Sequence, residues 1–158
     1  MEVLLPPIGS AKAEFTDHSK IRYGTGNVKT AVIDRADIGK FVAWIIADER
    51  TLKRYVFCWT EEVTQDEIFA LAKRVSGQRL DIKTISAEEV IRVAKEAKDA
   101  HRKHMLQYTH SISVRGDNTV ANARKEEYGA ALDARELYPD IGKELRSVEE
   151  FAKDFYLS

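Results

Sequence analysis

Tyr55-Val56-Phe57-Cys58-Trp59 is a short, nearly continuous apolar run. It lacks the alternation of a half-exposed strand, so it suits a strand buried on both faces, as in a parallel sheet. Helical periods flank it. Upstream, Ile38, Phe41, Val42, Ile45 and Ile46 fall at i, i+3, i+4, i+7 and i+8, a stripe predicted to be buried on a helix ending near Asp48. Downstream, Thr64 and Glu67 form a capping box ahead of Ile68, Leu71, Ala72 and Val75, with Gly77 placed to stop the helix. Ser86 and Glu89 open another helix, with Val90, Ile91, Ala94 and Ala97 inward. Ser147 and Glu150 open a third, with Phe151 and Phe155 on one side. In each box the hydroxyl accepts a bond from an otherwise unpaired N–H and the Glu reaches back to the cap.

Further strands are predicted around these helices. Ile21-Arg22-Tyr23 leads into Gly24-Thr25-Gly26-Asn27, and the β-branched run Val28 to Ile33 follows, which reads as a strand pair joined by a hairpin turn. Asp81 to Ile85 alternates as a half-buried strand does. Residues 1–20 show no period, and Pro6-Pro7 and Gly9-Ser10 break any regular element. Strand then alternates with helix three times before an irregular stretch and a last helix, which predicts an α/β fold. The chain shows no repeat, low-complexity tract or internal linker, so its 158 residues read as one unit.

Composition narrows the function classes. Net charge is −1, so no basic footprint supports nucleic-acid binding. No apolar run approaches the ~20 residues of a membrane span, and Met1 to Pro7 has no basic region and too little apolar sequence for a signal peptide. Cys58 is the only cysteine, which rules out an internal disulfide and fits a reducing compartment. The expected location is cytoplasmic.

Candidate chemistry is sparse. Gly24-Thr25-Gly26 resembles part of a phosphate-binding loop, but the dinucleotide fingerprint needs a preceding strand, a third glycine and a helix directly after. Here a strand-like run follows. His101 and His104, at i and i+3, could share a metal, yet no third ligand lies nearby, and Arg102 and Lys103 make them read as a solvated basic helix end. His110, with Tyr108 and Ser111 beside it, could line a polar substrate site or transfer a proton near neutral pH. The simpler reading is a loop His bonded to backbone. Cys58 reads as an inert core residue, Trp44 and Trp59 as core or interface aromatics, and Arg124 to Glu127 as a solvated face. No catalytic constellation assembles.

Four segments, taken together, resemble the NmrA-like/isoflavone-reductase-like group of atypical short-chain dehydrogenases. Val32-Ile33-Asp34-Arg35-Ala36-Asp37-Ile38-Gly39-Lys40-Phe41-Val42-Ala43 is similar to the strand and helix that follow that family's nucleotide-binding half. Ile46 to Val56 is similar to its "DPRTLNK" stretch, with Glu49 where Pro is usual. The third segment runs from Trp59-Thr60 through Thr64-Gln65-Asp66-Glu67-Ile68 to Val75-Ser76-Gly77. Ala134-Arg135-Glu136-Leu137-Tyr138-Pro139-Asp140, then Ser147-Val148-Glu149-Glu150-Phe151, resembles the "ASELYPD…TVEEYL" ending. The resemblance covers roughly residues 20–158.

The resemblance implies the C-terminal part of a Rossmann-type NAD(P)-binding fold with its smaller substrate-binding lobe. Residues 1–20 would be an irregular lead-in, 21–60 residual sheet strands and a helix, and 61–158 the substrate lobe. It implies NADPH-dependent reduction of a small, often aromatic, carbonyl or enone-type substrate, or alternatively a non-catalytic redox-sensing regulator. The family's glycine-rich loop and catalytic lysine lie upstream of the matched region, so no catalytic, cofactor-binding or metal residue is carried over. His110, with Val114 to Asp117, matches a "HxVFVKGD"-like loop, which gives His110 and Tyr108 a substrate-side role. The expected partners are a small-molecule substrate, the family's nucleotide-binding half or a second copy of the chain.

Overall fold

The computed structural model describes residues 5–6 and 20–157. The predicted lead-in therefore lies outside the described residues apart from Leu5, Pro6 and Lys20. Six short strands are β1 (Ile21–Tyr23), β2 (Thr30–Val32), β3 (Val56–Phe57), β4 (Glu61–Val63), β5 (Lys83–Ile85) and β6 (Leu132–Asp133). Helices are α1 (Arg35–Ile45), α2 (Gln65–Ser76), α3 (Ala87–Glu96), α4 (Ala100–His110), α5 (Val120–Ala123), α6 (Ala134–Leu137), α7 (Pro139–Lys143) and α8 (Val148–Leu157). Strands and helices alternate through the first half, as an α/β chain requires.

The strands pair across long sequence separations. β1 runs parallel to β5, β2 antiparallel to β4, and β3 parallel to β6. This corrects the predicted hairpin between Ile21–Tyr23 and Val28–Ile33. The side chain of Gln65 occupies an edge of β1: its Oε1 accepts from the Tyr23 N–H at 2.9 Å and its Nε2 donates to Ile21 O at 3.2 Å. Gly24 (φ +63°) donates to Ile85 O and Gly26 (φ +76°) turns the chain away. A Cβ at Gly26 would lie 2.7 Å from Asp66 Oδ1 and 2.9 Å from Arg22, which are themselves ion-paired. The left-handed conformation favours glycine there.

Two cores result. In the first, Ile68, Leu71 and Ala72 of α2 and Val148 and Ala152 of α8 are buried, and all but Ala72 form one cluster with Val32, Val63 and Leu5. Phe151 and Phe155 stack beside them at 6.3 Å. Thr64 and Glu67 make both bonds of the predicted box, and Gly77 ends α2 in the left-handed conformation. Ser147 and Glu150 likewise make both bonds. Ser86 accepts from the Glu89 N–H, but the Glu89 carboxylate is drawn off by Arg92. In the second core Phe41, fully buried, meets Ala134, Tyr138 and Ile141. Removing a side chain of that size from water contributes about 1.5–3 kcal/mol.

Buried charge joins the cores. Asp34 caps α1 by accepting from the Ala36 N–H at 3.1 Å. Asp37, 2% exposed, accepts from the Arg146 N–H at 2.8 Å and pairs with Lys40 at 2.8 Å. Arg146 in turn reaches Asp34 and Asp154 and lies over Phe151. The start of α1 is thereby fastened to the start of α8, and the two carboxylates lying low in the fold have cationic partners, as buried charges require.

Other expectations need correction. Only part of the predicted α1 stripe is buried: Ile38, Val42 and Ile46 are 40%, 46% and 80% exposed, because no described element covers that side of the helix. The Tyr55–Trp59 run is a strand only at Val56–Phe57 and is not buried on both faces, since Tyr55 is 73% exposed. His101 and His104 stand in the first half of α4, which Asp99 caps, and not at a basic C-terminal end. The expected loop from His110 to Asp117 is largely helical, as α4 continues into a π-helical turn over Ser111–Arg115, closed by Gly116 in the left-handed conformation.

Candidate functional site

Two sites draw on the family-like segments. The first is a groove of about 450 Å³ lined by Trp44, Asp48, Arg50, Tyr138, Pro139 and Ile141 among others. It forms because the chain turns sharply after α1. Thr51 donates its hydroxyl to Ile45 O and Asp48 O, both at 2.7 Å, and Asp48 caps the following helical turn by accepting from the Arg50 N–H at 2.9 Å. Glu49 takes the first position of that turn. Pro is favoured at such a position for its fixed φ, and an acidic residue suits the positive end of the turn, so Glu49 is a physically sound replacement for the family's Pro.

Across the groove, Asp133 caps α6 and Pro139 begins α7, leaving Tyr138 between them. The Tyr138 hydroxyl donates to Asp48 Oδ2 at 2.9 Å, a contact spanning 90 residues. Arg50 lies over the Tyr138 ring at 5.8 Å and Trp44 packs beside it at 6.0 Å. The "DPRTLNK"-like and "ELYPD"-like segments thus lock onto each other. Hydrogen bonds from Arg50 hold the Asp48 carboxyl well below the usual carboxylate range. Burial, and then the bond to Asp48, push the Tyr138 hydroxyl upward. Both shifts run away from neutrality.

The second site surrounds the end of α4. His110 is half-buried at its last turn and Tyr108 is 60% exposed. Two residues apart on an α-helix, at ~100° per residue, they point to nearly opposite sides, so the helix does not bring these two predicted residues together. The π turn that follows re-aims the chain, a feature frequent at functional sites. Asp117 gathers Ser111 Oγ at 2.7 Å, Tyr128 OH at 3.0 Å and Arg115. The Arg115 guanidinium holds its carboxyl down, at about 2.

Sequence reasoning missed Asp133. Its carboxylate accepts from Trp59 Nε1 at 3.1 Å, the Arg135 N–H at 2.9 Å and Arg124 Nη2 at 2.8 Å. Burial pushes its pKa up, but these donors outweigh burial and hold it below the ordinary value. Arg124, predicted to sit on a solvated face, is therefore an anchor for a buried carboxylate as well as for Glu136. Burial raises the Cys58 thiol pKa, in keeping with an inert residue. Among the described residues no cluster of three or more His, Cys, Asp or Glu could hold a metal. No helix there is long and apolar enough to cross a membrane.

The described residues do not fit the pyrophosphate of a dinucleotide. Gly24-Thr25-Gly26 leads to β2 and not to a helix, and a Cβ at Gly26 would meet Arg22 and Asp66. In the first turns of α1, α2, α3 and α4 one N–H each is taken by the caps Asp34, Thr64, Ser86 and Asp99.

Comparison with known proteins places this architecture. The model of the NmrA-like family matches residues 8–152. An isoflavone reductase of Medicago sativa is 31% identical over 120 residues, covering 75% of this chain and 36% of that protein. A crystal structure of isoflavone reductase superposes with a TM-score of 0.70 at 26% identity, covering 85% of this chain and 42% of that one. The leucoanthocyanidin reductase–NADPH complex from Vitis vinifera superposes with a TM-score of 0.73 at 24% identity, covering 87% and 44%. The chain thus spans less than half the length of these relatives. Its α/β fold is that of isoflavone-reductase-like structures, and the chain belongs to the NmrA-like family.

Proposed function

We propose that this chain is the C-terminal, substrate-side portion of an NAD(P)H-dependent reductase acting on a small aromatic carbonyl or enone-type substrate in the cytoplasm. One observation carries the reading. The match to relatives named as reductases covers 36% to 44% of their lengths, and the described residues hold no cradle for the dinucleotide. In this reading NAD(P)H binds to the nucleotide-binding half common to the family and supplies hydride. This portion supplies shape: the α4 end with His110 contacts the substrate, and the Asp48–Tyr138 lock fixes α1 relative to α6 and α7.

The test begins with the native polypeptide, detected in its source cells with an antibody against residues 148–157. A mass near twice 17.9 kDa is expected, and that product should consume NADPH in the presence of an isoflavone or a related phenolic. His110→Ala in it should raise the substrate KM roughly tenfold, on the scale of one lost polar contact, and leave the NADPH KM unchanged. A longer product that binds NADPH without turnover would replace this reading with that of a redox-sensing regulator. A 17.9 kDa product without turnover would sink the reductase reading.

A further inference from the structure

The two ends of the π turn at Ser111–Arg115 are held differently. Beyond its closing end the chain is sewn to β2. Asn118 O accepts from the Ala31 N–H at 2.8 Å, and Asn118 Nδ2 donates to Thr30 Oγ1 and Ala31 O, both at 2.9 Å. Asn122 Nδ2 donates to Gly116 O at 2.8 Å. The opening end starts on His110. His110 is half-buried there, and among the described residues no hydrogen bond holds its ring. Asp117 joins the two ends. Its side chain, 16% exposed, accepts from Ser111 Oγ at 2.7 Å, Arg115 Nε at 2.8 Å and Tyr128 OH at 3.0 Å. Its backbone N–H donates to Ser111 O at 3.1 Å. Ser111 is thus gripped at hydroxyl and carbonyl by a residue adjacent to the anchored Asn118.

A π turn is a rare conformation, so bonds from outside it decide whether it persists. Side-chain direction follows the helical backbone that carries it. The grip on Ser111 therefore bears on where the neighbouring His110 ring points. We propose that Asp117 is a positioning residue of the substrate side, which holds the π turn closed on Ser111 and so fixes the direction of the His110 imidazole. The proposal rests on the reading that His110 contacts the substrate, and Asp117 acts only through that ring. Tyr128 and Arg115 keep the carboxylate in place from the side away from Ser111.

The test uses the native polypeptide carrying carbon-13 at histidine Cε1. His110→Ala assigns the His110 resonance by its loss, and His101 and His104, on the same helix, are assigned likewise as references. Asp117→Ala, and Ser111→Ala, which removes only the hydroxyl link, are expected to move the His110 resonance and leave the other two in place. An unmoved His110 resonance in the folded variants overturns the proposal. Equal movement of all three overturns it as well, since that marks a general loosening of α4. If Asp117→Ala does not fold, Ser111→Ala and Asp117→Asn decide, the latter expected to stay nearer the parent because it keeps an acceptor for both hydroxyls. In turnover, Asp117→Ala should raise the substrate KM by up to the roughly tenfold of His110→Ala and leave the NADPH KM unchanged. In a chain already carrying His110→Ala it should add nothing, and additive losses would overturn the proposal. A parent without turnover sinks the reductase reading and leaves the resonances to judge Asp117.

Discussion

Helices α1 and α2 differ by one residue in length, and both carry apolar residues at helical spacing, yet they end in opposite surroundings. α2 buries Ile68, Phe69, Leu71 and Ala72, with α8 and the β2–β4 pair across from them. α1 buries only Asp37 and Phe41 and leaves Ile38, Val42, Trp44 and Ile46 exposed. Periodicity identifies residues that share a face. It does not say whether anything lies opposite that face. A helix apolar on most sides is built for contacts on more than one side, and this chain supplies α1 with one of them.

The comparison can be broken most strongly at adjacent positions of α1. Phe41→Ala is expected to lower unfolding stability by about 3–5 kcal/mol, through lost transfer energy and the cavity left behind. Val42→Ala, next in sequence, should change it by less than about 0.5 kcal/mol in dilute protein. Urea denaturation of both variants is the check, and equal losses would mean that the outer face is covered.

Asp37→Ala should cost about 1–3 kcal/mol, because it strands the partly buried Arg146 N–H and releases Lys40. The loss should appear in urea unfolding with the slope of the transition unchanged. If the cost is below 1 kcal/mol, the buried carboxylate does not fasten α1 to α8.

Acid should test the second site and the groove together. Asp117, Asp48 and Asp133 all have folded pKa values below their ordinary ones. A depressed carboxyl contributes stability above its unfolded pKa, near 3.9, and that stability is lost as pH falls through the folded value. The Tm should therefore fall between about pH 5 and pH 2. Asp117→Asn should flatten part of that fall, which for this residue ends at about 2. A Tm independent of pH over this range would argue against the carboxylate contacts.

The smallest expected effect lies in the turn beyond α1. Lys53 has φ +57°, a left-handed conformation that suits Asn better than Lys. The "DPRTLNK" pattern carries Asn at this place. Lys53→Asn should raise stability by about 0.5 kcal/mol, measurable as a small rise in Tm with the groove unchanged.

Much of this architecture is legible in the residues. The boxes at Thr64–Glu67 and Ser147–Glu150 are local chemistry, in which a hydroxyl and a carboxylate satisfy backbone groups three residues away, so short-range pattern suffices to find them. Gly77 is legible for the same reason. The family was readable from segments that lie far apart in the chain, because their order survives where single motifs do not. The candidate site was less legible. Tyr138 and Asp48 are 90 residues apart, and neither residue by itself signals the other. Asp133 carries no signal of its own until the structure brings Trp59 and Arg124 onto it.

The sequence by itself determined where α2, α3 and α8 begin and where α2 stops, which residues share a face, and to which family the chain belongs, because these follow from contacts within a few residues and from motif order. Only the tertiary structure decided that β1 pairs with β5 rather than β2, that Arg124 anchors a buried carboxylate, and that one face of α1 stays open. Strand partners, ion partners and burial depend on which distant segments arrive, and the loop-closure entropy that brings them together leaves no mark in local spacing.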